Sequence, residues 1–99
     1  MSSFHSESID RLYRAILSLR SEEECAAFFE DICTIMETRD MAQRLETAVL
    51  LKEGMNYQAI SKKLGISTTT ISRVSRCLNY GSGGYQIVLD RLQENEKES

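Results

Sequence analysis

The stretch from Met55 to Tyr80 reads MNYQAISKKLGISTTTISRVSRCLNY and decides how the chain folds. Gly65 separates two short groups of apolar residues, and Ser67 follows two positions later. Glycine permits the left-handed turn that ends one helix, and serine caps the start of the next. The spacing therefore predicts a helix-turn-helix over about residues 56–78, with Asn56 as the first cap. The residues expected to lock its two helices together are Ile60, Leu64, Ile66, Ile71 and Val74.

This motif is the basic part of an acidic chain. The 99 residues carry a net charge of −3, yet no Asp or Glu lies between Gly54 and Leu89. Outside that segment, eight Lys and Arg face fifteen Asp and Glu. A local basic surface on an acidic chain indicates selective DNA binding and argues against indiscriminate binding of polyanions. The four charged residues inside the segment are Lys62, Lys63, Arg73 and Arg76.

The second helix of such a motif presents its first turns to base edges in the major groove. Threonine can contact a thymine methyl with its own methyl and a base edge with its hydroxyl, whereas Lys and Arg suit phosphates. Each of these residues alone would also fit a solvated surface, but spacing, glycine, cap and charge agree. The predicted DNA-binding residues are Gln58, Lys62, Lys63, Ser67, Thr68, Thr69, Thr70, Ser72, Arg73 and Arg76.

The rest of the chain predicts an all-α fold. There is no proline, and apolar residues recur at intervals of three and four without strand-like alternation. A single domain over residues 1–99 is expected, and its small size favours self-association because a short chain buries a limited share of its surface. An S-x-x-E capping signal from Ser21 to Glu24 marks the start of the second helix. The six predicted helices span about 6–20, 22–36, 38–53, 57–64, 68–78 and 85–92, with a frayed tail at about 93–99.

The sequence gives little indication of a catalytic site, a metal site or a membrane-spanning segment. The single histidine, His5, lies close to the N-terminus, and Cys25, Cys33 and Cys77 are too far apart for a C-x-x-C pattern. We therefore expect reduced thiols, no metal site and no catalytic pair. No apolar run approaches the ~20 residues of a membrane span, and the first residues lack the features of a secretion signal. The expectation is a cytoplasmic, non-enzymatic protein without a membrane partner.

Four strings of the sequence resemble one known family: FFEDICTI, AQRLETAVLLKEG, KLGISTTTISRVSRCLNYG and GYQIVLDRL. The chain resembles the Trp repressor superfamily, and most closely its YerC/YecD branch. The resemblance covers nearly the whole chain, and ISRVSRCLNYG is its most specific piece. It implies a Trp-repressor-like, all-helical homodimer in which the first helices of two chains interlace. Two DNA-reading motifs would then point the same way.

The resemblance also implies a candidate effector site. In the tryptophan-sensing members, two arginines sandwich the indole of the co-repressor, and their positions match Arg44 and Arg73. A ligand-contacting threonine matches Thr34. Val74 and Cys77 stand where the sensors have a glycine and a serine, which disfavours tryptophan as a ligand. The preferred interpretation is that the protein has no cofactor and that the two arginines pair with acids such as Glu46 or Glu37, or contact phosphates. The alternative is a small-molecule co-repressor that also contacts Cys77.

The sequence thus supports a sequence-specific transcriptional regulator that binds double-stranded DNA as a homodimer and acts as a repressor. The alternative is a helix-turn-helix module that binds another protein of the transcription machinery, as a sigma-factor-like domain does. The two functions differ in whether the isolated dimer binds DNA by itself.

Overall fold

The computed structural model describes residues 6–98, and within them the chain is helical with no strand. The predicted all-α class and the order of six helices are confirmed. The described residues fall into two compact units, divided between Thr38 and Arg39 inside the third helix. The prediction of one domain over the whole chain stays a prediction. The helices are α1 (Glu7–Leu17), α2 (Glu22–Ile32), α3 (Ile35–Lys52), α4 (Tyr57–Leu64), α5 (Thr68–Tyr80) and α6 (Gly84–Glu98).

The boundary between α2 and α3 differs from the prediction. The second helix ends at Ile32 instead of Met36, and the third begins at Ile35. The reason is a reciprocal cap: the Thr34 hydroxyl accepts the Glu37 N–H at 3.1 Å, and the Glu37 carboxylate accepts the Thr34 N–H at 2.8 Å. This T-x-x-E capping box satisfies two backbone donors at once and fixes a helix start within a continuous apolar pattern.

The first two helices begin at serine caps. The Ser6 hydroxyl accepts the Ile9 N–H at 3.2 Å, and α1 ends at Leu17, before the predicted end at residue 20. The predicted cap at Ser21 is confirmed, since its hydroxyl accepts the Glu24 N–H at 3.1 Å. The Glu24 carboxylate accepts the N–H of Arg20 at 2.8 Å, one residue earlier than in the predicted pairing.

The first unit has no buried side chain among residues 6–38. Four apolar residues of α1 are at least one-third exposed, with Leu17 at 83%. They recur at the three- and four-residue spacing of one helix face, which is the pattern of a helix that buries that face against something. This unit therefore presents apolar surface that its own residues leave open. The four residues are Leu12, Tyr13, Ile16 and Leu17.

The second unit contains the buried core, and α5 contributes to both of its clusters. Ile71 packs with Ile60 of α4 and Leu50 of α3. Val74 packs with Ala48 of α3 and Leu89 of α6. Each of the Val, Leu and Ile side chains stabilises the fold by about 1.5–3 kcal/mol when it is fully buried. The helix that carries most of the predicted DNA contacts is thus fixed by core packing.

Polar contacts add to this packing. The buried Thr47 hydroxyl donates to the Gln43 carbonyl at 2.7 Å, and the Gln43 side-chain amide donates to the Leu64 carbonyl at 3.4 Å. The second of these bonds ties α3 to the end of α4. The Lys52 ammonium contacts the Asp90 carboxylate at 2.5 Å and so links α3 to α6. All three bonds lie within the second unit.

The C-terminal helix is longer than predicted. It runs from Gly84 to Glu98, whereas the sequence pattern placed its end near Leu92 and a frayed tail at about 93–99. After Gly84 the sequence has no glycine or proline, so nothing ends the helix when its apolar pattern fades. The preceding helix ends at Gly81, where an added Cβ would lie 2.4 Å from the Cys77 carbonyl oxygen.

Candidate nucleic-acid interface

The turn of the motif is built around Gly65. Its backbone has φ 68° and ψ 35°, the left-handed conformation, and its N–H donates to the Ser61 carbonyl at 2.8 Å. An added Cβ would meet nothing within 4 Å, so the position demands glycine for its backbone conformation and not for space. The predicted end of the first motif helix at this residue is confirmed.

Both motif helices begin at their predicted caps. The Asn56 side-chain oxygen accepts the Ala59 N–H at 2.8 Å, and the Ser67 hydroxyl accepts the Thr70 N–H at 3.2 Å. The Ser61 hydroxyl donates to the Ile66 carbonyl at 2.6 Å and closes the turn from the other side. These local bonds, together with the buried Ile60 and Ile71, fix the direction in which α5 leaves α4.

An open groove runs along the exposed side of the motif. Its volume is about 740 Å³, and five of the ten residues predicted to bind DNA lie along it. The structure brings these five together from successive turns of α5 and adds two neighbours that were not in the predicted set, Tyr57 and Cys77. The five predicted residues are Thr68, Thr69, Ser72, Arg73 and Arg76.

The other five predicted residues lie elsewhere on the motif. Gln58, Lys62 and Lys63 are exposed on α4 and do not line the groove. The Ser67 hydroxyl is engaged in the helix cap, with the Thr70 hydroxyl 3.1 Å away. Thr70 itself is half-buried and lines a second cavity on the other side of α5.

That second cavity, of about 590 Å³, holds most of the candidate effector residues. Arg44, Arg73 and Cys77 lie together on its wall, with Val74 beside them. Thr34, the fourth candidate, lies in the first unit, where its hydroxyl caps α3. Thr70, which was predicted to bind DNA, also lines this cavity, and the sequence analysis missed the other three lining residues, Asp40, Gln43 and Tyr85.

The missed residues differ in how far the sequence could have indicated them. Asp40 lies four residues before Arg44, so helical spacing alone places the two on one face of α3. Tyr85 follows the glycine-rich loop between α5 and α6, and no local pattern fixes where that loop directs the chain. Only the packing of α6 on the core brings its ring to the cavity.

The charges of this cavity are unbalanced. Within residues 6–98 neither Arg44 nor Arg73 makes an ion pair, so the predicted pairing with acids such as Glu46 or Glu37 is not found there. The predicted contact of these arginines with phosphates stays a prediction. Burial raises the pKa of the Tyr85 phenol, the nearby Cys77 thiol raises it further, and Arg44 acts in the opposite direction. The phenol is therefore a neutral hydrogen-bond donor at neutral pH.

The described residues contain no group of three His, Cys, Asp or Glu side chains arranged to hold a metal ion. The three cysteines are free, and His5 lies outside the described residues. No helix within residues 6–98 is long and apolar enough to cross a membrane.

An all-helical chain whose turn, caps and exposed groove have this form is a helix-turn-helix protein. The family model described as Trp repressor protein matches residues 7–93, and the chain belongs to that family, a regulatory DNA-binding family and not an enzymatic one. It is 53% identical over 93 residues to YerC, an uncharacterized protein of Bacillus subtilis strain 168, covering 94% of this chain and 89% of YerC.

Two solved structures share the fold. A TrpR-like protein from Eubacterium eligens ATCC 27750 superposes with a TM-score of 0.85 at 48% identity, covering 89% of this chain and 91% of that one. A candidate Trp repressor from Staphylococcus aureus superposes with a TM-score of 0.86 at 43% identity, covering 90% of this chain and 89% of that one. The family and the all-α fold predicted by resemblance are thus confirmed.

The geometry of the turn gives a stability prediction. Gly65→Ala forces a side chain into the left-handed region and should lower the free energy of unfolding by about 1–2 kcal/mol in urea denaturation. Gly84→Ala is the matched control, because no positive φ and no neighbour within 4 Å oppose its Cβ. The Gly84→Ala control should leave the free energy of unfolding unchanged or raise it slightly. Equal losses in the two variants would contradict a conformational role for Gly65.

Proposed function

We propose that this protein is a homodimeric, sequence-specific DNA-binding transcriptional regulator that represses its target genes. The observation that carries the proposal is the groove along α4 and α5, which combines four hydroxyl-bearing residues with two arginines. No acidic residue occurs between Gly54 and Leu89 to repel a phosphate backbone. Membership of the Trp repressor family supports the same function.

The residues of the motif fall into two groups according to the kind of DNA contact that they would make. Thr68, Thr69 and Ser72 occupy the first turns of α5, the part of a second motif helix that meets base edges. Their methyl and hydroxyl groups would choose the sequence. Arg76, further along α5, and the exposed lysines of α4 would contact phosphates, which give affinity and register without sequence information.

The first unit supports a dimer. Residues 6–38 bury no side chain of their own, and the exposed apolar face of α1 has the spacing of a packed helix. A second copy of the chain would cover such a face and supply the core that the unit lacks. Two motifs on one dimer would then contact half-sites about one helical turn apart on a two-fold operator. The cytoplasm is the compartment in which such a repressor would act, as its bacterial relatives suggest.

The direct test is a gel-shift series on duplexes selected from a random library by the purified protein. We expect a complex with a two-fold site whose log affinity falls linearly with log salt concentration, by about 0.9 for each phosphate neutralised. A duplex that keeps only one half-site should bind much more weakly. Absence of a specific complex, or an affinity indifferent to salt, would overturn the proposal.

The division within the groove predicts two distinct mutant phenotypes. Thr69→Ala should alter the preference at one base pair by about 1–3 kcal/mol if its contact is direct, while leaving the salt slope unchanged. Arg76→Ala should weaken binding to all sequences about equally and flatten the salt slope. Arg91→Ala, which removes the same charge from an exposed position on α6, is the control. Identical behaviour of the Thr69 and Arg76 variants would contradict the division.

The alternative function, a helix-turn-helix module that binds another component of the transcription machinery, predicts the opposite result. The isolated dimer would bind DNA poorly, and a stable heteromeric complex would be recovered from cell extract. The gel-shift series and a pull-down therefore separate the two functions.

A small-molecule co-repressor is a second proposal, favoured by the cavity beside α5. Its two arginines lack ion-pair partners within the described residues, and Thr70 and Tyr85 offer hydroxyl groups nearby. The buried Val74, part of the core, occupies space beside those arginines, which disfavours tryptophan itself. A carboxylate-bearing ligand fits this cavity, because its two guanidinium groups outnumber its single acid, Asp40.

A thermal-shift screen of amino acids and indoles tests this second proposal. A ligand that binds the folded protein should raise its unfolding temperature, and a co-repressor should also tighten DNA binding. Arg44→Ala is the informative variant, because Arg44 lines the cavity but not the groove. It should abolish the shift while leaving ligand-free DNA binding intact. If no compound both stabilises the protein and tightens DNA, the co-repressor proposal fails.

A further inference from the structure

Tyr57 is an aromatic residue that the core does not explain. It is the first residue of α4, its side chain is 38% exposed, and it belongs to neither of the two core clusters. A large apolar side chain in such a position usually contributes to packing. Here its ring instead lies on the wall of the groove, beside the first turns of α5.

The phenol hydroxyl of Tyr57 is free to bind a ligand. Within residues 6–98 it takes part in no hydrogen bond or ion pair. The neighbouring residue Asn56 uses its side chain for the helix cap, at 2.8 Å from the Ala59 nitrogen, and does not reach the phenol. A tyrosine hydroxyl can donate a hydrogen bond, so an unpartnered one on a residue that lines a groove can donate to a ligand oxygen there.

The surroundings of Tyr57 favour an anion. The only charged residues that line the groove are Arg73 and Arg76, and no acid occurs between Gly54 and Leu89. A donor beside two cations in an acid-free groove matches an oxyanion better than any cationic or neutral ligand. Within a DNA complex, the oxyanion available at the edge of a base-reading surface is a backbone phosphate.

We propose that Tyr57 is a positioning residue whose hydroxyl donates to a phosphate of the bound DNA and so sets the register of α5 on the bases. This inference rests on the proposed DNA-binding function and deepens it by extending the interface from α5 to the start of α4. The first helix of such a motif crosses the DNA backbone, which is where a phosphate contact from Tyr57 would fall.

A neutral donor leaves a thermodynamic signature that differs from those of the other groove residues. Counterion release is governed by the Lys and Arg charges that neutralise phosphates, so losing a phenol hydroxyl leaves the salt slope unchanged. A phosphate contact carries no sequence information, so its loss also leaves base preference unchanged. A Tyr57 variant without its hydroxyl should therefore differ from Thr69→Ala, which changes base preference, and from Arg76→Ala, which changes the salt slope.

The experiment is Tyr57→Phe in the full chain, measured by gel shift across a salt series on the selected operator and on single-base variants of it. This substitution removes one hydroxyl and keeps the ring, so the thermal unfolding temperature should not change. We expect affinity to fall by about tenfold at every salt concentration and on every sequence. Tyr80→Phe is the matched control, since Tyr80 is 87% exposed and lies outside the groove, and it should bind as the unmodified protein does.

The outcomes separate this inference from the function on which it rests. If the unmodified protein binds DNA with a salt-dependent affinity and Tyr57→Phe binds equally well, the phosphate contact is overturned and the proposed function stands. A Tyr57→Phe variant with altered preference at one base pair would also overturn it, because the hydroxyl would then contact a base. If the unmodified protein forms no specific complex, both proposals fall.

Discussion

Burial of two side chains of α5 is the constraint on which the rest of the motif depends. Ile71 packs against Leu50 and Ile60, and Val74 packs against Ala48 and Leu89. Because the two residues are one helical turn apart, a single turn of α5 is held by α3 and α4 through Ile71 and by α3 and α6 through Val74. The rotation of α5 about its own axis is therefore fixed, and so is the direction of every side chain that it exposes.

The two surfaces of α5 follow from that rotation. Thr69, Ser72 and Arg76 recur at helical spacing and line the open groove, whereas Thr70 and Val74 face the cavity toward α3 and α6. Arg73 and Cys77 lie at the boundary and line both. A molecule that contacts Arg73 from the cavity would thus share a side chain with the groove. The α-helical period thus places residues of α5 on two adjacent sites, and α3, α4 and α6 supply the remaining lining residues.

Much of this arrangement could be predicted from the sequence, because its determinants are local. Glycine at position 65, the caps at Asn56 and Ser67 and the periodic isoleucines each act within one or two turns, and the structure has them where the pattern placed them. The failures came from competing local signals and from long-range packing. The Thr34 capping box broke a continuous apolar pattern, and the end of α6 had no marker.

The candidate sites show the same limit. Five groove residues could be predicted because they follow one another along a single helix. Tyr57 belongs to the other helix of the motif, and Tyr85 lies beyond a glycine-rich loop, so tertiary packing alone brings them to the groove and the cavity. Periodicity assigns a residue to a face of its own helix but does not say what a neighbouring helix adds to that face.

The separation between buried and groove-facing positions has a consequence for how this fold can diversify. In α5, the residues at positions 71 and 74 belong to the core. The residue at position 65 forms the turn through its backbone conformation, and the residues at positions 68, 69 and 72 line the groove. The last three residues are exposed and contribute to neither cluster. Substitutions there carry little cost in folding free energy, so under the proposed function one scaffold would acquire new operators by exchanging a few side chains. Paralogues and designed variants that differ in target sequence can therefore retain the same core and the same turn.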